Sequence, residues 1–207
     1  ARCENSPVQV GCQSVYRMNT AVGGNFGAFT TNRPVSIMKA MDVNYTIIGH
    51  CEERNDKMGI LAEAGVVDTK AVNRILNQEI KLAVANGGMK VLYCIGEKDT
   101  ELDRWDEVLR EQLEIGLEGV DKSQVVIGYE PIWSIGPGKT PAGKDYITKI
   151  ARFVKEVTGG TPVVYGGGLK VDNAEMLASI EEIDGGLIAL TRFQGEIGFY
   201  PDEYIEI

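Results

Sequence analysis

A carboxylate and an imidazole stand at matching places in this chain. Glu130 follows the apolar run Val125-Val126-Ile127-Gly128-Tyr129, and His50, the single histidine, follows Tyr45-Thr46-Ile47-Ile48-Gly49. In parallel α/β proteins the C-terminal ends of strands are where ligands bind. A carboxylate base and an imidazole converging there suit proton abstraction beside a carbonyl, with the imidazole polarising the oxygen. A strand-end histidine taken alone reads as readily as a structural residue; the pairing with Glu130 is what favours chemistry. After Glu130 the chain runs through Pro131-Ile132-Trp133-Ser134-Ile135-Gly136-Pro137-Gly138-Lys139-Thr140-Pro141. Prolines at both ends and glycines between them suit a lid that swings on short hinges.

The elements that must position these groups form a βα repeat. Six short apolar runs are expected as strands: Val8–Cys12, Tyr45–Gly49, Lys90–Ile95, Val125–Tyr129, Pro162–Tyr165 and Gly186–Leu190. They rarely alternate with polar residues, as expected of strands buried on both faces. Cys94, Ile95, Ile127, Val164 and Ile188 are the expected core positions on them. Between the runs lie apolar stripes at helical spacing. One is Val72, Ile75, Leu76, Ile80, Ala83 and Val84, with Asp68 as N-cap and Gly87-Gly88 as the stop. Others are Leu102 to Leu113, Tyr146 to Val154 and Ala174 to Ile180, and Pro34 opens a helix carrying Val35, Ile37 and Met38. The expected fold is α/β, a parallel sheet with outer helices, about six βα units over residues 1–207 in a single domain. A closed (β/α)₈ barrel has eight strands in about 250 residues.

Composition narrows the function. Of 207 residues 43% are apolar and 25% charged, ordinary for a globular domain. The net charge of −9 and the lack of a basic patch argue against nucleic acid as a partner. An acidic protein still binds small anions through backbone NH groups and helix N-termini. No apolar run is long enough to span a membrane. Cys3, Cys12, Cys51 and Cys94 form no CxxC pair, and with one histidine no metal site is expected. Reduced thiols and the want of a signal-peptide stretch in the first six residues set the expectation of a cytoplasmic protein. Gly138-Lys139-Thr140 looks like the end of a P-loop, but Trp133 stands where that motif needs glycine. Gly166-Gly167-Gly168, before a helix beginning near Asp172, reads either as an anion nest or as a tight turn.

Several segments resemble one family. Gly49-His50-Cys51-Glu52 is similar to the G-H-S-E motif of triosephosphate isomerases, with Cys51 in place of serine. Cys94-Ile95-Gly96-Glu97 matches C-I-G-E, Gly27-Ala28-Phe29-Thr30 matches G-A-F-T, and Tyr165-Gly166-Gly167-Gly168 resembles Y-G-G-S. Tyr129 to Thr140 resembles the family's catalytic-glutamate strand and lid, and Asp184-Gly185 opens the last strand. The matches are collinear from Val8 to about Leu190. The resemblance implies a TIM-barrel fold and an aldose–ketose isomerase, an intramolecular oxidoreductase of glycolysis. Glu130 would be the base that moves a proton between adjacent carbons, His50 the polarising group and Glu52 a supporting acid. Ile135 and Gly136 of the lid, Gly167 and Gly168, and Ala189 and Leu190 would face the substrate. No cofactor is implied, because the substrate's own carbonyl acidifies its C–H bond. A homodimer is implied, formed through the loop from Gln13 to Thr30.

The chain also departs from the pattern. No segment matches the family's first strand, whose asparagine and lysine bind substrate, and the match starts at the family's third strand. The expectation is therefore a divergent, truncated homologue lacking two βα units, impaired in turnover and self-associating through exposed strand edges. Gly168 replaces a serine, and Ala189 and Leu190 replace a Gly-Gly pair whose NH groups face phosphate. The substrate would be glyceraldehyde 3-phosphate and dihydroxyacetone phosphate, or a related four-carbon sugar phosphate. The alternative is an inactive family member with a structural, self-associating role.

Overall fold

A computed structural model describes residues 6–20, 31–136 and 138–207. The Gly27–Thr30 motif, most of the expected dimer loop and Pro137 of the lid lie outside the described residues. The chain divides into two compact units, Ala1–Cys94 with Glu114–Val126, and Ile95–Leu113 with Ile127–Ile207.

The first unit holds β1 (Gly11–Gln13), α1 (Val35–Ala40), β2 (Tyr45–Ile48), α2 (Cys51–Glu63), α3 (Thr69–Gly87) and most of β3 (Lys90–Ile95). β1 and β3 flank β2, both parallel to it, with Cys12 opposite Thr46 and Thr46 opposite Val91. α3 forms as its stripe requires. Asp68 caps it by accepting from the Lys70 N–H, Val72, Leu76, Ile80 and Ala83 are buried, and Gly88 ends it in the left-handed region at φ 55°. α2 carries no apolar stripe and buries none of its residues, so hydrophobic periodicity gave no sign of it. Polar contacts hold it instead, among them the i,i+4 pair Glu53–Lys57 at 2.8 Å.

The second unit holds most of α4 (Trp105–Gly116) and β4 (Val125–Tyr129), then α5 (Lys144–Thr158), β5 (Val163–Tyr165), α6 (Val171–Ala178), β6 (Gly185–Gly186) and α7 (Pro201–Glu206). β4 and β6 flank β5, again parallel, with Ile127 opposite Val163 and Val164 opposite Gly185. α5 buries Ile147, Ile150, Ala151 and Val154 along one stripe and stops at Gly159, φ 77°. The order of the elements is that of a (β/α)₈-barrel protein, with six parallel βα units in these residues.

Several expectations need correction. The first strand is Gly11–Gln13 rather than Val8–Cys12, and Val8 and Val10 are exposed. The last strand keeps only Gly185–Gly186. The Leu187 N–H still donates to the Tyr165 carbonyl at 2.9 Å, but residues 188–190 are not in the strand, and Ile188 is half-buried rather than core. Cys94, Ile95 and Ile127 are buried as expected, but on β5 it is Val163 and Tyr165 that are fully buried while Val164 is half-exposed. The cause is strand alternation, which points neighbours to opposite faces. Leu102 sits in an exposed 3₁₀ turn, Asp99–Arg104, ahead of α4, and Ile37 of α1 faces outward.

Candidate active site

Glu130 is the residue immediately after β4 and is 3% exposed. Its backbone is held by the strand ladder. The Glu130 N–H donates to the Ile95 carbonyl at 2.8 Å, and the Gly166 N–H donates to the Tyr129 carbonyl at 2.8 Å. Two glycines make room for it. A Cβ on Gly96 would lie 1.8 Å from the Glu130 carbonyl oxygen, and one on Gly166 would lie 3.1 Å from the Glu130 Cγ. The glycines of the Cys-Ile-Gly-Glu and Tyr-Gly-Gly-Gly motifs are there for close approach to the carboxylate residue.

The lid starts as a 3₁₀ turn, Ile132–Ser134, anchored from below by Glu97. This carboxylate is fully buried, and its Oε1 accepts from Tyr129 Oη (2.9 Å), Trp133 Nε1 (2.8 Å) and Tyr146 Oη (3.1 Å). One oxygen thus ties together the strand that carries Glu130, the first turn of the lid and α5. Burial and the adjacent Glu97 charge push both phenols up from their ordinary pKa, so they remain protonated donors. Trp133 and Tyr146 also meet edge to face, ring centroids 5.6 Å apart. Sequence reasoning quoted Glu97 only as a motif letter. Its position one residue after the buried Cys94-Ile95-Gly96 run was the available signal.

The far side of the lid borders a cavity of about 570 Å³. Of the six residues expected at the substrate, Gly136 and Gly168 line it, and Ile135, Gly167, Ala189 and Leu190 are not among its lining residues. Gly136 (φ 111°) and Gly168 (φ 86°) adopt conformations that L side chains rarely take. Gly167 serves packing, since a Cβ there would sit 2.2 Å from Tyr165 Oη, which donates to the Gly167 carbonyl at 2.8 Å. Asn173 completes the turn. Its amide donates to the Gly168 carbonyl (3.1 Å) and its oxygen accepts from the Lys170 N–H (2.9 Å). Lys139, Lys170 and Arg192 also line the cavity, facing Asp172, Glu203 and Glu206. Lys170 pairs with Asp172 at 3.1 Å and Arg192 with Glu203 at 2.5 Å. Lys139 belongs to the expected lid segment, Lys170 and Arg192 belong to no sequence motif, and only the fold gathers the three around one cavity.

His50 lies in the first unit, as N-cap of α2 just beyond β2, and its side chain is half-exposed. Its Nδ1 contacts the Glu52 carboxylate, and Cys51 Sγ lies 3.7 Å from the same nitrogen. The Cys51 thiol donates to Glu52 at 3.1 Å. Partial burial works against the Glu52 charge, but the thiol and the imidazole outweigh it and hold the carboxyl below its ordinary range. Among the described residues, His50, Cys51 and Glu52 are also the one His/Cys/carboxylate group whose donor atoms all fall within 4.8 Å, close enough to share a metal ion.

Parallel strands alternating with helices make this an α/β protein of the TIM-barrel type, with Glu130 just past the C-terminal end of one strand. Comparison with known proteins makes the class specific. A family model described as triosephosphate isomerase matches residues 1–196. Relatives named triosephosphate isomerase include one from Synechococcus sp. (strain CC9902), 32% identical over 99% of this chain and 75% of that protein. Another, from Fusobacterium nucleatum, is 33% identical over 99% of this chain and 76% of its own length. For the protein of Mycoplasmopsis pulmonis, 33% identical, the match covers 78% of this chain and 61% of that protein. The chain belongs to the triosephosphate isomerase family.

Proposed function

We propose that the chain is an aldose–ketose isomerase that interconverts glyceraldehyde 3-phosphate and dihydroxyacetone phosphate, or the equivalent pair of a four-carbon sugar phosphate. The observation that carries this reading is Glu130, a carboxylate 3% exposed at the end of β4, between two glycines that admit it and a lid rooted on Glu97. Glu130 takes the proton from the carbon next to the carbonyl and returns it to the neighbouring carbon. His50 donates a hydrogen bond to the oxygen on which negative charge develops, with Glu52 beside the ring. The phosphate end of the substrate is held at Gly136 and Gly168, where the first turn of α6 also borders the cavity, since backbone NH groups and helix N-termini attract anions. The enzyme works as a homo-oligomer, at least a dimer, in the cytoplasm and serves glycolysis.

The test is a coupled isomerase assay of the chain and of Glu130→Gln. Loss of the base is expected to lower kcat by about 10²–10⁴. Turnover that survives Glu130→Gln unchanged overturns the assignment of the base. A folded oligomer that exchanges no substrate hydrogen with solvent supports instead a structural role for this family member.

A further inference from the structure

We propose that Glu53 and Arg54, on the first turn of α2, are positioning residues that clamp the Gly49 peptide from both sides and so set the His50 ring. The proposal rests on the reading of His50 as the polarising group.

Gly49 joins β2 to His50 at φ 85°, and a Cβ there would lie 2.8 Å from the Cys94 carbonyl oxygen and 2.9 Å from the Tyr93 ring. The link between strand and imidazole is therefore a glycine, conformationally the loosest residue, and something else must hold it. The Gly49 N–H donates to Glu53 Oε2 at 2.6 Å, and the Gly49 carbonyl accepts from Arg54 Nε at 2.7 Å. Both bonds involve a charged group, which makes them stronger than neutral ones. The His50 carbonyl then accepts from the Arg54 N–H at 3.0 Å, locking the next peptide as well.

Each arm of the clamp is itself anchored to a different element of the first unit. The Glu53 carboxylate accepts from Ser14 Oγ, just past β1, and from Lys57 Nζ at 2.8 Å. Lys57 also reaches Glu79 of α3 at 3.1 Å. The Arg54 guanidinium donates to Asn73 of α3 (2.7 Å), to the Cys94 carbonyl (2.9 Å) and to Tyr93 Oη (3.1 Å), and lies over the Tyr93 ring. An apolar stripe does not account for this density of polar bonds, since the helix buries none of its residues. Both side chains, so anchored, converge on the Gly49 backbone, one on its N–H and the other on its carbonyl. A planar guanidinium serves four acceptors at fixed angles here, which lysine cannot do.

The chain has one histidine, so a chain labelled with ¹³C,¹⁵N-histidine gives one imidazole signal set and reads His50 directly. In Glu53→Ala and Arg54→Lys the ring resonances are expected to shift and broaden, while far-ultraviolet circular dichroism stays that of the parent. In the isomerase assay kcat is expected to fall about tenfold with KM within twofold, because a misoriented electrophile acts on the transition state more than on binding. Glu53→Asp, which keeps the charge, is expected to recover part of kcat. Should Glu53→Ala fail to fold, Arg54→Lys, which loses the Nε–H that reaches the Gly49 carbonyl, gives the reading from the other arm. Arg74→Gln, altering an exposed pair with Asp68, is the control expected to leave the ring unchanged. A folded Glu53→Ala or Arg54→Lys with parent-like ring shifts and line widths overturns the proposal. If the parent chain shows no isomerase activity, the resonances still decide the clamp, and only the functional reading falls.

Discussion

Replacing Gly96 by alanine tests whether close backbone approach places the Glu130 strand end. The added methyl would sit 1.8 Å from the Glu130 carbonyl oxygen and 2.9 Å from its carbonyl carbon, whereas real Cβ contacts stay beyond 3.0 Å. One side must therefore yield by about 1.2 Å. The Gly96 side is held fast. Its N–H donates to Gln112 Oε1 at 3.0 Å and its carbonyl accepts from Gln112 Nε2 at 2.9 Å, both bonds made by a buried side chain of α4. The Glu130 backbone is the part expected to move, and with it the carboxylate. Overpacking of this kind costs about 1–3 kcal/mol, or roughly 3–10 °C in melting temperature for a chain of this size. A displacement near 1 Å at a reacting group costs about 10²-fold in rate. The assays are thermal melting by circular dichroism and steady-state isomerase kinetics. A variant that melts within about 1 °C of the parent and keeps kcat within about threefold refutes the reasoning.

Gly59→Ala on α2 is the counterpart. Nothing lies within 4 Å of the Cβ position, so the variant is expected to gain stability, by about 0.5–1 kcal/mol, in urea unfolding; a loss would contradict the model of α2 as a regular helix. Glu97→Leu removes the acceptor of three donors, one of them the buried Tyr129 hydroxyl, and is expected to cost about 1–3 kcal/mol or more, whereas Glu97→Gln keeps an acceptor and costs less. Equal unfolding midpoints for Glu97→Leu and the parent would count against that network. Glu79 gives a pH signature. Burial and the nearby Glu53 charge, only partly offset by Lys57, push its pKa up to about 8. A raised folded-state value favours the fold while the group stays protonated, so its contribution is complete below the ordinary value near 4.5 and is lost as pH rises through about 8. The slope from this group approaches about 1.4 kcal/mol per pH unit inside that window. Glu79→Gln is expected to flatten the stability profile between those limits, and an unchanged profile would show that Glu79 ionises normally.

Much of this molecule is written in local patterns. The apolar runs at Tyr45, Lys90 and Val125 became β2, β3 and β4, burying Ile48, Val91 and Val125 while Ile47, Leu92 and Val126 stay half-buried. α3 and α5 follow from stripes with a cap and a glycine stop, signals that reside within one helix. The places of Glu130, directly after β4, and of His50, separated from β2 by Gly49, were legible from the apolar runs before them, and the collinear motifs pointed to the triosephosphate isomerase family. What the sequence left open depends on partners far along the chain. α2 showed no periodicity, since charged residues bonded to Ser14 just past β1, to α3 and to β3 hold it rather than an apolar face. The last strand was read too long, because apolar letters at residues 187–190 carry no information on whether a ladder partner runs that far. Glu97 looked like one acid among thirty acidic residues, and its role comes from a tyrosine, a tryptophan and a second tyrosine that lie 32 to 49 residues away. Hydrophobic period and turn chemistry are properties of neighbours in sequence, so the chain alone determines its βα repeat and the placing of its acid and imidazole. Close approach and shared hydrogen bonds are properties of neighbours in space, and only the tertiary structure decides them.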